Sequence, residues 1–415
     1  MGSISQAMRR LAQLPPGVAV VIAVAATIWT IGFATVIRAP CVSTTASGDF
    51  RWCSTQFTEL YVLESIEGGR LPYLDACVPV GGDPCDEYPV LTMYAMRLTG
   101  WVSSGIEPFF YANALLMLLC ALIISVLLAR RVGMRALYFA LAPTLALYGL
   151  MNWDLLGVVL MVAAVEAYLR DRQVAAGVAL GLSAATKFFP ALLLVPLAAD
   201  LLGRGRRSDV VRLAGAAVGA WAVVNVPFAV AAPEGWGEFF RFNSARPPDI
   251  DSLWYAVCHR VVGEVPCLET GFVNAASLIV FASAVAAVWW AKWRRDPHFE
   301  RWTLAFPVIV LFFLANKVYS PQYSLWLLPL FALLLPDLRL FAAFGAAEVA
   351  IFLTRYQVPL EPPLLGFQLA VLARDAVLIG YVVAWVRRPL DQRSSLAAGA
   401  DGSVTGSLQV KRSPT

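Results

Sequence analysis

Long apolar segments recur along almost the whole chain, and they constrain its fold more than any other feature. Of the 415 residues, 59% are hydrophobic and only 14% are charged, whereas a soluble domain carries about 25% charged residues. A water-soluble fold of this composition would expose too much apolar surface. A helix that crosses a bilayer needs about 20 apolar residues, or fewer where protein covers it. The sequence therefore predicts an all-α polytopic membrane protein.

The apolar segments predict about twelve transmembrane helices. They are expected near residues 17–38, 109–129, 136–151, 154–169, 174–186, 189–203, 210–231, 271–291, 302–316, 323–336, 340–355 and 365–386. The first segment is longer than a signal-peptide core and no A-x-A-like cleavage site follows it, so we interpret it as a retained helix. The segment 90–104 contains Arg97 and lacks a basic flank, and we expect an interfacial or re-entrant helix there rather than a thirteenth crossing.

Basic clusters between these segments give the chain an orientation. They are Arg130/Arg131/Arg135, Arg170/Arg172, Arg204/Arg206/Arg207, Lys292/Arg294/Arg295/Arg301, Arg339 and Arg387/Arg388. Twelve crossings place all of them on one side, which the positive-inside rule assigns to the cytoplasm together with both termini. Two long loops, about 39–108 and 232–270, are then extracytoplasmic. We expect one transmembrane domain over residues 1–388 and a disordered cytoplasmic tail over 389–415.

Cysteine placement agrees with this orientation. Cys41, Cys53, Cys77 and Cys85 lie in the first predicted outer loop, Cys258 and Cys267 lie in the second, and Cys120 lies inside a predicted helix. An even number of cysteines on the oxidising side predicts disulfides within each loop, with their connectivity left open. No metal site is implied, because no histidine accompanies the first four cysteines and His259 and His298 are expected on opposite sides of the membrane.

Polar residues interrupt the apolar pattern at three predicted outer turns, Asn152–Asp154, Lys187–Pro190 and Asn316–Tyr323. An ionisable group at membrane depth costs at least about 2.5–3.5 kcal/mol by insertion scales, so it usually faces a cavity or a partner. Taken singly, a lysine can snorkel to the headgroups, and an asparagine or aspartate can cap a helix. Three such turns on one face favour a functional site.

The first predicted outer loop is rich in acids. They are Asp49, Glu59, Glu64, Glu67, Asp75, Asp83, Asp86 and Glu87. Residues 55–67 show a helical pattern with Leu60, Leu63 and Ile66 on one stripe, and we expect this helix on the membrane surface. Gln56 and Glu59 are one turn apart on a shared face.

These features suit one chemistry particularly well. A sugar carried on a polyprenyl phosphate needs cations for its phosphate, an apolar groove for its tail and a carboxylate base for the incoming hydroxyl. Lys187 and Lys317 are the candidate phosphate ligands. A divalent metal is not implied, because a lipid monophosphate carries little charge.

Six stretches carry a family resemblance. They are GRLPY at 69–73, EYPVL at 87–91, NWDLL at 152–156, ATKFFP at 185–190, RPPDIDSLW at 246–254 and NKVYSPQY at 316–323. Their order resembles the GT-C superfamily of polyprenyl-phosphate-dependent glycosyltransferases, most closely glycosyltransferase family 87 and its actinobacterial envelope mannosyl- and arabinofuranosyltransferases. The resemblance implies a GT-C-like fold in a bacterial plasma membrane. It also implies inverting transfer of mannose or arabinofuranose to an envelope glycan or glycolipid at the outer face. The net charge of +4, spread as clusters between apolar segments, indicates no nucleic-acid partner.

The resemblance also implies site residues. Arg246 joins Lys187 and Lys317 as a donor-phosphate ligand, and the candidate substrate-binding residues are Glu87, Tyr88, Asn152, Asp154, Asn316, Gln322 and Tyr323. A first-loop acid is implied as the catalytic base, but where relatives carry an aspartate this chain has Gln56, which cannot accept a proton. Either Asp49, which soon follows the first helix, or Glu59 takes that role, or the chain is a non-catalytic relative.

Two other functions compete with this interpretation. A lipid or solute transporter would use Arg374, Asp375 and Glu348, which lie inside predicted helices and would suit a permeation path. Transporters of this size commonly show two similar halves, whereas these helices are irregular in length and the long loops are unequal. This difference favours an enzyme with a one-sided site. A polymerase or ligase of lipid-linked oligosaccharide is the remaining alternative.

Overall fold

The computed structural model describes residues 14–42, 52–53, 55–77, 85–258, 269–356 and 365–388. Within these ranges the chain is helical and contains no strand. Five of the described helices are long and apolar enough to cross a membrane, and four shorter apolar helices accompany them. The predicted all-α fold is therefore confirmed, while the number of crossings stays a prediction.

Seventeen α-helices follow one another in the described residues. In chain order they are α1 (Pro16–Arg38), α2 (Gln56–Leu63), α3 (Val90–Trp101), α4 (Ile106–Val132), α5 (Leu137–Ala140), α6 (Pro143–Tyr148), α7 (Asp154–Leu169), α8 (Gln173–Ala184), α9 (Leu194–Gly203), α10 (Arg207–Ala231), α11 (Pro233–Ala245), α12 (Leu253–Val257), α13 (Thr270–Arg295), α14 (Ala305–Ala315), α15 (Leu328–Leu334), α16 (Leu338–Tyr356) and α17 (Leu365–Arg387). Short 3₁₀ segments lead into α9, α14 and α15, at Phe189–Leu193, Arg301–Leu304 and Pro321–Trp326.

Each predicted apolar segment is helical, but the segment 136–151 is not one continuous helix. It is divided into α5 and α6, and the break falls just before Pro143. Ala142 has φ −64° and ψ 131°, the extended conformation that a following proline ring imposes. Because proline also lacks a backbone N–H, it begins a new helix rather than continuing the old one.

The first-loop helix α2 is shorter than predicted, and its apolar side packs on protein. The Thr55 side chain caps its start by accepting a hydrogen bond from the Phe57 backbone N–H. The ring centroid of Phe57 lies 4.6 Å from that of Trp153 and 6.3 Å from that of Phe110. The predicted stripe of Leu60, Leu63 and Ile66 is wrong, because the helix ends at Leu63 and Ile66 is buried beyond it.

The second long loop contains two helices that sequence reasoning did not predict, α11 and α12. Pro233 stands at the start of α11, where a proline's missing N–H costs nothing. None of the α11 residues is buried, although the helix carries Trp236 and three phenylalanines. The alternation of aromatic and polar residues along Pro233–Ala245 is the sequence feature that could have predicted α11.

Disulfides are present where the cysteine count predicted them. Cys41 is bonded to Cys53 and Cys77 to Cys85, which confirms pairing within the first loop and resolves its connectivity. Cys258 is also disulfide-bonded, and its predicted partner region lies outside the described residues. Cys120 is free and buried.

Helix α8 packs against α10 at two glycines, Gly177 and Gly181. A Cβ atom on Gly177 would lie 2.3 Å from the Leu213 carbonyl oxygen, and one on Gly181 would lie 2.2 Å from the Ala217 carbonyl oxygen. Since backbone atoms cannot yield as flexible side chains do, only glycine allows this approach. The contact fixes α8, whose end leads directly into the turn at Lys187.

Replacing Gly181 by valine should separate α8 from α10 and destabilise the protein, by roughly 1–3 kcal/mol or more as for other overpacked cores. Thermal unfolding in detergent, followed by circular dichroism, measures the effect. The matched control is Gly219→Val on α10, because a Cβ there would meet no atom within 4 Å. Equal melting temperatures for the two variants would contradict this account of the packing.

Candidate active site

A cavity of about 1150 Å³ lies between α2, the turn at Lys187, the second long loop and the turn Asn316–Tyr323. Nine of the predicted site residues line it: Glu59, Glu87, Tyr88, Lys187, Arg246, Asn316, Lys317, Gln322 and Tyr323. Asn152 and Asp154 are buried behind the lining, and Asp49 lies outside the described residues. The structure thus brings the polar turns together, while the role of each residue stays a prediction.

The turn at Asn152 supports the wall of the cavity from behind. Asn152 Nδ2 donates hydrogen bonds to Gln56 Oε1 at 2.6 Å and to Tyr88 Oη at 2.7 Å. Gln322 Nε2 also donates to Gln56 Oε1, at 3.4 Å. Gln56, the residue that departs from the family pattern, therefore stands at the centre of a cluster of amides.

Lys187 is held in a cage of one carboxylate and two aromatic rings. Its Nζ lies 3.7 Å from Asp154 Oδ2, 4.7 Å from the ring centroid of Tyr88 and 5.2 Å from that of Tyr323. Asp154 is itself fixed, because its Oδ1 accepts a hydrogen bond from Trp326 Nε1 at 2.8 Å. Ring faces and a carboxylate both stabilise a cation, so this charge is positioned before any ligand binds.

Lys317 is a buried cation of a different kind. Its side chain is 4% exposed, and its Nζ donates to the Ser244 carbonyl oxygen at 2.9 Å. Among the described residues no carboxylate lies within ion-pair distance of it, whereas neighbouring Arg246 is paired with Asp249 at 2.8 Å. Burial, and secondarily the charge of Arg246, lowers the pKa of Lys317 to about 8.

A buried ionic network joins the first two family stretches. Arg70 Nη2 lies 2.8 Å from Asp86 Oδ1 and 3.0 Å from Glu64 Oε2. The Tyr73 backbone N–H donates to the same Asp86 oxygen at 3.0 Å, and Tyr73 Oη donates to the Tyr88 carbonyl oxygen at 2.6 Å. Burial raises the pKa of Glu64 to about 7, against the opposing effect of Arg70. The network fixes the backbone on which Glu87 and Tyr88 stand.

Sequence reasoning gave no role to several residues of this site. In the sequence, Arg70 belongs to a family stretch, Glu64 and Asp86 are two of the first-loop acids, and Gln56 departs from the family pattern. The alternating charges of Glu64, Arg70 and Asp86 at short spacing could have indicated a buried ionic network. Charged residues in a loop, however, are usually solvated. Arg241 and Asn274 also line the cavity, and both come from segments that were interpreted as loop or membrane helix.

Of the three charged residues that suggested a permeation path, Arg374 and Asp375 pair with each other and Glu348 is hydrogen-bonded to Ser324. Arg374 Nε lies 2.9 Å from Asp375 Oδ1, and its guanidinium stacks 3.6 Å from the Tyr319 ring centroid. Arg374 Nη2 also donates to the Asp251 carbonyl oxygen at 2.8 Å. Glu348 Oε1 accepts a hydrogen bond from Ser324 at 2.5 Å. None of them lines the cavity, and they brace the turn Asn316–Tyr323 from behind.

A cavity lined by apolar and aromatic side chains with a few convergent charged and polar groups is the default candidate for a binding or active site. The family model for glycosyltransferase family 87 matches residues 87–316, more than half of the 415 residues. The chain belongs to glycosyltransferase family 87, which confirms the resemblance and makes a glycosyltransferase the class of this enzyme. Comparison with curated proteins gives no match.

The matched region contains Glu87, Asn152, Lys187 and Arg246 but neither α2 nor Lys317. The part of the cavity wall that carries Gln56 and Glu59 therefore lies outside the matched residues.

Replacing Arg70 by methionine should destabilise the protein by roughly 3–5 kcal/mol, because it leaves two buried carboxylates without their cation. Thermal unfolding in detergent measures the loss. Arg212→Met is the matched control, since Arg212 pairs with Asp209 at the surface with 64% of its side chain exposed, and exposed pairs contribute little. A melting temperature unchanged in Arg70→Met would show that the network does not support the fold.

Proposed function

We propose that this chain transfers a sugar, mannose or arabinofuranose, from a polyprenyl-phosphate donor to a glycan or glycolipid of the bacterial cell envelope. The observation that carries the proposal is Lys317, a buried cation at the cavity with no carboxylate partner among the described residues. A buried charge is costly unless it is paired. A phosphate in the cavity would provide the missing negative charge.

Two further cations surround that position. Arg246 and Lys187 line the same cavity and are each paired with an aspartate. They would offer N–H donors to the phosphate, while the aspartates offset most of their net charge. A sugar phosphodiester carries one negative charge and gains a second when the sugar leaves. Preorganised cations that meet this growing charge stabilise the transition state more than the ground state.

An apolar flank supports the lipid part of the donor. Phe188, Leu192 and Val195 line the cavity below Lys187, and Phe188 and Val195 are 51% and 57% exposed. Phe312 lines it as well. A polyprenyl tail is apolar, so burying it along this flank would be favourable in proportion to the area covered.

The reaction is a displacement at the anomeric carbon. The acceptor hydroxyl oxygen forms a bond to that carbon while the bond from carbon to the phosphate oxygen breaks, and its electron pair leaves with the polyprenyl phosphate. The hydroxyl proton passes to a carboxylate. Glu59 lines the cavity and is proposed for this role, with Asp49 as the alternative. Attack opposite to the leaving group inverts the anomeric configuration, and the step needs no divalent metal.

The proposed location follows from the basic clusters. The chain is proposed to cross the bacterial plasma membrane about twelve times over residues 1–388, with both termini and the tail in the cytoplasm and the cavity outside. The long disulfide-containing loop agrees with an oxidising side. A transporter is less favoured, because the interior charges that suggested it do not line the cavity.

The defining experiment incubates purified protein with radiolabelled polyprenyl-phosphate mannose or arabinose and an envelope lipid extract. Lys317→Met should reduce transfer on the order of 10²-fold, by analogy with removal of one oxyanion donor.

Lys317 binds phosphate as an ammonium ion, and its pKa of about 8 means that this form is lost as the pH rises. The kcat/KM for donor should therefore fall through about pH 8, and Lys317→Arg should remove that fall.

The control is Arg295→Met, which removes an exposed cation far along α13. If the wild-type protein transfers sugar from neither donor, the proposed function is contradicted. Full activity of Lys317→Met would instead contradict only the assignment of the phosphate to this residue.

The base is tested by Glu59→Gln. If Glu59 takes the proton, this change should lower transfer by roughly 10²–10⁴-fold and leave donor binding intact, because the amide keeps the size but not the basicity of the side chain. Glu67→Gln, the same change at an exposed first-loop position, is the matched control. A parallel variant, Asp49→Asn, tests the alternative base. Unchanged activity in both single variants and in the double variant would exclude both residues.

A further inference from the structure

We propose that Arg374 on α17 is a positioning residue for the proposed donor site, and that it holds the two segments that carry Arg246 and Lys317 in one mutual arrangement. The inference rests on the proposed function, since it takes those two cations as phosphate ligands. It extends the site to α16 and α17, which lie outside the residues that the family model matches.

The two cations stand on segments that are far apart in the chain. Arg246 begins the stretch 246–254 of the second long loop, and Lys317 lies in the turn Asn316–Tyr323. The segments meet where the Asp249 backbone N–H donates to the Lys317 carbonyl oxygen at 2.8 Å. A hydrogen bond contributes only about 0.5–1.5 kcal/mol net, so the relative position of the two cations also depends on the structure behind them.

Arg374 contacts both segments from behind. It is fully buried and does not line the cavity. Its Nη2 donates to the Asp251 carbonyl oxygen at 2.8 Å, and its Cζ lies 3.6 Å from the ring centroid of Tyr319. Asp251 belongs to the loop stretch and Tyr319 belongs to the turn, so one side chain joins the two. A planar guanidinium can donate along its edge and stack on a ring with its face at the same time, which an ammonium group cannot do.

Asp375 holds the guanidinium in this orientation. Its Oδ1 lies 2.9 Å from Arg374 Nε, and both side chains are buried. A buried ion pair gives little net stability over apolar side chains of similar volume. The contacts that Arg374 makes to the loop stretch and to the turn are therefore what this pair adds to the structure.

Helix α16 supports the same two segments, but through separate contacts. Arg355 pairs with the Asp251 carboxylate. Glu348 Oε1 accepts a hydrogen bond from Ser324 Oγ, which lies 3.0 Å from Tyr319 Oη. Each of these contacts reaches one segment, whereas the Arg374 side chain reaches both. Arg374 thus couples the positions of the two proposed phosphate ligands without touching the phosphate.

The test uses the double variant Arg374→Met/Asp375→Leu. It removes the contacts to both segments without leaving either charge buried alone, so the protein should still fold. Lys292→Met is the matched control. Lys292 is also fully buried and also contacts α17, where it donates to the Trp385 carbonyl oxygen at 3.2 Å, about three helical turns from Arg374. Arg374→Lys, which keeps the charge beside Asp375, provides a second variant that does not depend on the folding of the double variant.

The first readout is hydrogen exchange in detergent without donor, followed by mass spectrometry. Peptides that contain 246–254 and 316–323 should exchange about tenfold faster in both Arg374 variants, since protection of an amide reports the free energy of local opening. The same peptides should exchange at the wild-type rate in Lys292→Met. Wild-type exchange of both peptides in the Arg374 variants would overturn the inference.

The second readout is transfer kinetics. The donor KM should rise about tenfold in the Arg374 variants, the loss expected for one hydrogen bond to a charged group, while the acceptor KM stays unchanged. Burial lowers the pKa of Lys317 to about 8, so loosening the turn should move the fall in kcat/KM for donor to higher pH. A lower kcat with the wild-type donor KM and pH profile would show a merely structural role and overturn the inference.

The two readouts separate this inference from the proposed function. If the exchange rates change as expected but the wild-type protein transfers no sugar, the proposed function is contradicted and the coupling of the two segments by Arg374 stands. If the wild-type protein transfers sugar and the Arg374 variants match it in exchange and in donor KM, the proposed function stands and the positioning role is overturned.

Discussion

Asn152, Trp153 and Asp154 occupy a buried turn behind the cavity, and each side chain must find a partner there because none can reach water. Asn152 binds the first loop through Gln56 and Tyr88, Trp153 Nε1 donates to Asn113 on α4 at 2.6 Å, and Asp154 joins Lys187 to Trp326. Leaving a buried polar group without a hydrogen-bond partner costs more free energy than the hydrogen bond contributes when it forms. The turn therefore requires α2, α4, α8 and the segment before α15 to hold one mutual arrangement, and the cavity results from it.

The sequence predicted the helices well and their interruptions poorly. Apolar runs mark buried or lipid-facing helices whatever their partners, which is why each predicted segment is helical. The break before Pro143 depends on a single ring, and it was overlooked because the apolar run continues through it. Helices α11 and α12 were missed for other reasons. The residues of α11 are too polar for a membrane segment and too exposed to mark a core, and α12 has only five residues, too few to show a helical period.

The sequence predicted which polar residues belong to the site, but not which residues they pair with. Charged and amide residues in apolar surroundings are conspicuous, so Lys187, Lys317 and Asn316 could be named from the sequence. Their partners could not, because pairing depends on distances between segments far apart in the chain. Arg70, for example, pairs with Asp86 at 2.8 Å, although the two residues lie in different family stretches.

The unequal lengths of the helices have a consequence for the surrounding lipid. Helix α4 has 27 residues and α8 has 12, which at a rise of 1.5 Å per residue gives about 40 Å and about 18 Å. A hydrocarbon layer is about 30 Å thick, so one flat bilayer cannot match both. Val174 and Val178 on α8 are 55% and 39% exposed. With α8 as one of the proposed crossings, the bilayer beside them would thin or the polar turn at Lys187 would lie below the headgroups. The acyl-chain length of the host membrane would then be one of the variables that set the depth at which Lys187 meets the proposed polyprenyl donor.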